Sequence, residues 1–509
     1  MVLEDMTFGS YDKAERKAYK AFELYEDGKL SQAFDELEIA IEINPSNSSW
    51  HFNKALMLDT VNRFDDAISE YEIALQLSPN DLEILNSLAV DYTRTGQYDL
   101  AIDTFERIQE LDPEFEPCYC NRIITYTEMG QHDLAEQMFY LAQQIDPDCP
   151  LCYYNIGNSL FARGQYKKAI RCWLKTAELE SGHPQINYRI AQAYWSDGDK
   201  EQARAHFLAE VRINPGDIDA ILDFGLFLLE AGDIESAKEK FNRILELNGD
   251  FAPALFHLGE IAFNNGDYEQ AVELFNLALQ KDKALTGPYY RLAQYALMNG
   301  KTQQARTYLI SELQTSPGDA DTLVSMSTMF LTIGDLDYAA HCLLRAVDID
   351  SSDAEAYYHL GLVSAMKGGF EEAAELFAHT LDINSKHIPT LRDSALVYLA
   401  MGRLADASKR IKEALDLSAT QKADLAGGDS RDYGRAYSAL RSASPEQAAL
   451  TRQLKAINRR IILAQIVERI RDLLWRLRPA APQRLLVEDK SGGRRRGRPR
   501  KAKSLKRKT

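Results

Sequence analysis

Twelve alanines lie on one lattice with a step of 34 residues: Ala33, Ala67, Ala101, Ala135, Ala169, Ala203, Ala237, Ala271, Ala305, Ala339, Ala373 and Ala407. The register never slips, and that constrains a chain of 509 residues more than any other feature. A fixed period of roughly 20–50 residues marks stacked repeat units rather than one globular core. A second lattice runs five residues upstream: Gly28, Asn62, Gly96, Gly130, Gly164, Gly198, Gly232, Gly266, Gly300, Gly334, Gly368 and Gly402. A third closes several units with Pro45, Pro79, Pro113, Pro147, Pro215 and Pro317. Four residues after many of the alanines stands a large ring, as at Tyr71, Phe105, Phe139, Trp173, Phe207, Phe241 and Phe275.

Each lattice has a mechanical reason. Glycine tolerates the left-handed backbone that ends one helix and starts a tight turn, and asparagine is the next most able to do so. Alanine lets two helices approach closely, and the ring four residues on shares its face of the helix. Proline ends the second helix. The unit is therefore a helix pair that cannot bury its apolar face alone, so neighbouring units must stack.

Leu258-Gly259, Leu360-Gly361, Tyr92, Tyr126, Tyr194 and Tyr398 supply the first-helix pattern of the tetratricopeptide repeat (TPR) family, which the chain resembles over residues 14–421. Asn62 in place of glycine and Thr176 in place of a small residue are departures that leave the fold intact. The resemblance implies an all-α, right-handed superhelical solenoid of twelve antiparallel helix pairs. First helices would line a concave groove and second helices the outer wall. It also implies a non-catalytic protein-binding scaffold without cofactors.

In that resemblance the sixth residue of each unit faces the groove: Tyr19, Asn53, Ser87, Asn121, Asn155, Arg189, Asp223, His257, Arg291, Ser325, His359 and Asp393. All can hydrogen-bond, and asparagine can both donate to and accept from an extended peptide backbone. The expected peptide-binding residues are Asn53, Asn121, Asn155, Asn158, Tyr188, Arg189, Gln192, Trp195, His257, Tyr290, Arg291 and Gln294. Recessed Arg189 and Arg291 inside an acidic array favour a ligand segment that carries carboxylates. A wet inner face that merely solvates these residues is the plainer alternative. The family's clamp for chaperone C-termini, built on Lys and Asn, is not reproduced.

Charge divides the chain in two. Residues 1–421 hold 35 basic and 68 acidic side chains, a net of −33, whereas 422–509 hold 24 basic and 8 acidic, a net of +16. Opposite charges suggest different kinds of partner for body and tail. The expected boundaries are a lead-in at 1–13, repeats at 14–421, a linker at 422–444, an amphipathic basic helix at 445–478 and a disordered basic tail at 479–509. The helix carries Leu450, Leu454, Ile457, Ile461, Ile466, Ile470, Leu473 and Leu477 along one stripe, suited to capping the last repeat or to dimerisation. In the tail, Arg494-Arg495-Arg496-Gly497-Arg498-Pro499-Arg500-Lys501 resembles an AT-hook. A slim Gly-Pro backbone would let its arginines enter the narrow minor groove of A·T-rich DNA, with generic phosphate or RNA binding, or a targeting or solubilising tail, as the alternatives. On the nucleic-acid reading the chain would be a DNA- or RNA-associated regulator whose repeats recruit a partner.

No apolar run approaches the roughly 20 residues of a membrane span. Glu4 and Asp5 near the start do not fit a secretory leader. Six cysteines are too few for a disulfide framework, so a reducing, cytoplasmic setting is expected, or a nuclear one in a eukaryote. Cys118, Cys120, Cys149 and Cys152 form C-x-C and C-x-x-C motifs. Packing cysteines are the preferred reading, with zinc binding by these four as the weaker candidate. A redox C-x-x-C would need a preceding strand, which this pattern lacks. No phosphate-binding loop, H-E-x-x-H or G-x-S-x-G appears.

Overall fold

The computed structural model describes the backbone of residues 3–315, 318–425 and 445–476, with side chains at 13–315, 318–418 and 452–467. Among the described residues every regular element is a helix. The chain divides into two compact units, residues 1–288 and 289–509.

The first unit opens with α1 (Leu3–Glu26), α2 (Leu30–Ile43), α3 (Ser48–Thr60), α4 (Phe64–Leu77), α5 (Leu82–Arg94) and α6 (Tyr98–Leu111). Next come α7 (Glu116–Glu128), α8 (His132–Ile145), α9 (Pro150–Ala162), α10 (Tyr166–Leu179) and α11 (Ile186–Asp197). It closes with α12 (Lys200–Ile213), α13 (Ile218–Glu230), α14 (Ile234–Leu247), α15 (Ala252–Asn265) and α16 (Tyr268–Lys281). The second unit holds α17 (Pro288–Met298), α18 (Thr302–Thr315), α19 (Ala320–Ile333), α20 (Leu336–Ile349) and α21 (Ala354–Met366). After them stand α22 (Phe370–Ile383), α23 (Ile388–Ala400), α24 (Leu404–Leu425) and α25 (Pro445–Arg476). Helix α1 thus starts ahead of the expected lead-in boundary, and α24 runs a few residues into the expected linker.

The turn within each pair is enforced by the glycine lattice. All eleven lattice glycines have positive φ, between 70° and 89°, and Asn62 adopts 58° in their place. Start signals are equally local. Asp81, Asp217 and Asp353 cap α5, α13 and α21 by accepting hydrogen bonds from backbone N–H groups of the first turn. Pro150 occupies the first turn of α9, where a missing N–H costs nothing.

Packing follows the alanine lattice. All twelve alanines have no exposed surface, and Tyr71, Phe105, Phe207, Phe241, Phe275 and Phe377 are equally buried. Their rings press on the preceding helix so closely that a Cβ at Gly157, Gly225, Gly259 or Gly361 would lie within 2.4–2.6 Å of Trp173, Phe241, Phe275 or Phe377. Helix α25 ends the second unit's core. Its Leu454 and Ile461 are fully buried against Leu391, Ala395, Ala407, Ile411 and Ala414 of α23 and α24. This is the cap that a stack with an open apolar end requires. On the same helix Ile462, Leu463, Ile466 and Val467 stay exposed.

Candidate functional site

The first helices place the expected ladder residues, and several residues of this face are already engaged with a neighbouring unit. Asn121 on α7 donates to Asn86 Oδ1 at 3.0 Å. Asn155 on α9 is 3% exposed and donates to the carbonyl of Cys120 at 3.2 Å. Tyr188 Oη and Gln192 Nε2 on α11 both donate to Asp223 Oδ2 at 2.8 Å, and Trp195 Nε1 donates to Glu230 Oε2 at 2.6 Å. The second unit repeats the device, with Tyr358 Oη donating to Asp393 at 2.8 Å. Part of the ladder therefore knits adjacent first helices together. Asn53 is exposed on α3. His257 stacks on Phe241 with centroids 5.3 Å apart, and burial lowers its pKa. In the second unit Arg291 donates to Gln294 Oε1 at 2.9 Å and lies 5.8 Å from the ring centre of Tyr290.

One cavity lies on this face. It measures about 270 Å³ and is lined by Glu128, Asn155, Asn158, Phe161, Trp173 and Arg189. Its apolar wall is fixed by the absence of a side chain at Gly157, which lets Trp173 close in and donate Nε1 to the carbonyl of Tyr154 at 3.1 Å. Its cation is Arg189. The Nε of Arg189 is buried without a hydrogen-bond partner among the described residues. Its Nη1 reaches Gln192 Oε1 at 3.4 Å, and the guanidinium lies 5.9 Å from the ring centre of Tyr188. Glu128 contributes an acceptor, and burial raises its pKa. A planar guanidinium held this way can take a carboxylate in two parallel hydrogen bonds. A larger cavity of about 530 Å³ near the start of the chain offers less, because its Lys54 is already paired with Glu38 and Glu70 at 3.2 and 2.9 Å.

The cysteines assemble differently from the expected set of four. Cys120, Cys149 and Cys152 meet Glu116, with their donor atoms all within 4.8 Å of one another. Cys118 stays out and donates instead to the carbonyl of Phe105 at 3.3 Å. The reason is helical geometry: residues two apart point about 200° from each other, so Cys118 and Cys120 cannot serve one site. Glu116, one turn before Cys120, shares its face. Cys149 reaches back because it is the N-cap of α9, its sulfur accepting from the Cys152 N–H at 3.3 Å. Cys152 Sγ donates to Glu116 Oε1 at 2.9 Å. Burial, with the Cys149 sulfur beside it, raises the Glu116 carboxyl to about 7. Hydrogen bonds from Cys120 and Cys152 make Cys149 the most acidic thiol of the three, while Cys120 and Cys152 are pushed up. The basic run Arg494, Arg495, Arg496, Gly497, Arg498, Pro499, Arg500 and Lys501 lies outside the described residues.

A family model described as a tetratricopeptide repeat matches residues 20–81, 58–114, 154–218, 222–285 and 329–387. Curated proteins give no match. Among solved structures, Tom70 of yeast is 15% identical over 90% of this chain and 96% of its own, with a TM-score of 0.36. A tetratricopeptide repeat protein from Parabacteroides merdae is 17% identical over 53% of this chain and 99% of its own, with a TM-score of 0.40. YrrB, described as a TPR protein with an unusual peptide-binding site, is 19% identical over 40% of this chain and 97% of its own, with a TM-score of 0.33. No helix among the described residues is long and apolar enough to cross a membrane.

Proposed function

The chain belongs to the tetratricopeptide repeat family, a protein-interaction scaffold fold, and on that premise we propose that its first-helix face binds an extended, carboxylate-bearing segment of a partner protein. The reading takes all twelve units of the alanine lattice as repeats and assigns the chain no catalysis of its own. One observation carries it: Arg189 lines the cavity beside Asn158 with its Nε buried and unpartnered. A buried donor left unmade costs about 1–3 kcal/mol, and an incoming carboxylate recovers that cost. Asn158 is half-buried at the same cavity and can pair with a peptide amide. Glu128 accepts from a backbone N–H of the same segment. Asn53, Asn121, His257 and, in the second unit, Tyr290, Arg291 and Gln294 supply further polar contacts on the corresponding face. Tyr188, Gln192 and Trp195 hold the wall in place through Asp223 and Glu230.

Selection of short unstructured peptides from a random library on the immobilised full chain tests this directly. Enrichment of Asp and Glu that vanishes with Arg189→Gln is expected. Enriched sequences without acidic residues, or a pattern untouched by that substitution, would sink the proposal.

A second role rests on the tail. Ten basic residues and no acidic one between Arg494 and Lys508, centred on Arg-Gly-Arg-Pro, suit binding to A·T-rich DNA. The scaffold would then be tethered to DNA in the cytoplasm or nucleus. A mobility shift lost on deleting 491–509, and stronger on A·T than on G·C duplexes, is the expected result. Equal affinity for both duplexes would leave only a polycation.

A further inference from the structure

We propose that Glu116, Cys120, Cys149 and Cys152 form a structural zinc site that clips the start of α7 to the start of α9. The four donors come from two short segments. Glu116 and Cys120 are one turn apart at the start of α7. Cys149 is the N-cap of α9 and Cys152 lies in its first turn. Three sulfurs and one carboxylate oxygen make a donor set that zinc accepts in tetrahedral geometry, with Zn–S near 2.3 Å. That bond length places sulfurs about 3.8 Å apart around the ion. The donors already lie within 4.8 Å of one another, so small side-chain rotations close the site and no helix has to move.

The surroundings are those of a ligand shell. All three cysteines are buried, between 1% and 8% exposed, and the carboxylate is half-buried. Plain packing gives no reason to bring a carboxylate to three thiols, because burying a charged group in a core is unfavourable unless it is paired. Two N–H groups point at sulfur: the Cys152 backbone at Cys149, 3.3 Å, and the Asn155 amide at Cys120, 3.6 Å. Such donors orient metal-bound thiolates and spread their negative charge. The positive ends of α7 and α9 offset what the ion leaves uncompensated. Burial argues against a working thiol–disulfide pair, which must meet a partner's sulfur. It suits a closed site with four protein ligands.

Asn155 joins this site to the cavity beside it, since the same side chain lines that cavity. The clip therefore fixes the spacing of two first helices next to Arg189. It stands on its own ligands and does not depend on what the cavity binds.

The full chain, purified without chelator under reducing conditions, is assayed for zinc by elemental analysis and then reconstituted with cobalt(II). About one zinc per chain is expected, and the cobalt form should show the thiolate charge-transfer band and intense visible bands of a tetrahedral site. Cys120→Ser, Cys149→Ser and Glu116→Gln should each lower zinc affinity, and Asn155→Ala should lower it by about 10–100-fold. Cys118→Ser is the control that leaves affinity unchanged. Where a ligand variant does not fold, release of zinc from the wild-type chain by a thiol-blocking mercurial gives the same answer through the metal-to-thiol ratio. Less than a tenth of an equivalent of zinc after loading, or a featureless cobalt spectrum, overturns the proposal. So does equal sensitivity to Cys118→Ser, or a Cys149–Cys152 disulfide in the protein as isolated.

Discussion

Gly259→Ala tests whether the approach of first and second helices is set by a missing side chain. Gly259 on α15 faces Phe275 on α16, and an added Cβ would stand 2.6 Å from Cε1 and 2.8 Å from Cδ1 of that ring. Ordinary contact begins near 3.4 Å, so ring or helix must give by about 0.8 Å. The ring has no room, because Phe275 has no exposed surface and is flanked by Phe256 at 5.8 Å and Phe263 at 6.3 Å. Overpacking of this kind costs about 1–3 kcal/mol. Replacing a mid-helix glycine by alanine returns about 1 kcal/mol of helix propensity. Because the ring is boxed in, the strain falls in the upper part of that range, about 2–3 kcal/mol, and a net loss of about 1–2 kcal/mol is expected. A stacked array need not unfold in one step, so local hydrogen exchange on α15 and α16 is a better readout than a single melting point. Alanine stands at the same lattice position at Ala293 opposite the smaller Leu309, and also at Ala89 and Ala191 opposite Phe105 and Phe207, so the strain belongs to the close spacing of α15 and α16 rather than to the lattice. Phe275→Leu should therefore cost less in the Gly259→Ala background than alone. A neutral or stabilising Gly259→Ala would refute the steric argument, and so would a double variant additive to within about 0.5 kcal/mol.

Three further outcomes follow from the same packing. Asp91 is 1% exposed, and burial, reinforced by Asp59, raises its carboxyl to about 6 despite Arg94. A raised folded-state pKa favours folding below the unfolded value near 3.8 and loses that advantage as pH climbs through about 6. Asp91→Asn should thus raise the unfolding free energy from urea denaturation at about pH 8, by on the order of 1–2 kcal/mol, and leave it unchanged at about pH 4. Trp173→Phe removes the hydrogen bond to the Tyr154 carbonyl and part of the cavity wall, so exchange protection in α9 and α10 should fall by about 1–3 kcal/mol. Leu454→Ala on α25 opens the capped end of the second unit, and protection of α23 and α24 should drop by about 2–4 kcal/mol.

The alanine, glycine and ring lattices made the helix pairs legible in the sequence because each acts within one unit: a left-handed turn, a close approach, a ring one helical turn away. Asn62 shows how local the rule is, since it takes the same positive φ as the glycines around it. The thiol cluster was only half legible. The two cysteine motifs were visible, but Glu116 is a common residue whose role appears only when α7 and α9 are side by side. Cys118 matched the motif by spacing and is excluded by its direction on the helix. The ladder shows the same limit from the other side. Position in the unit located Asn155 and Tyr188 on the first-helix face, yet not that Cys120 and Asp223 already occupy their hydrogen-bonding groups. Position in the unit marks Arg189 as a recessed cation, but its unpartnered Nε is a property of the fold that no spacing rule contains.

The most direct measurement of the central claim is a thermodynamic cycle on the Arg189 cavity. A fluorescent peptide from the library selection, carrying Glu or Gln at one acidic position, is titrated against the wild-type chain and against Arg189→Gln. A charge-assisted pair should give a coupling of about 1.5–3 kcal/mol, so the Glu peptide binds the wild type roughly 10–100-fold better and loses that preference in the variant. A coupling near zero at every acidic position of the peptide would contradict the account.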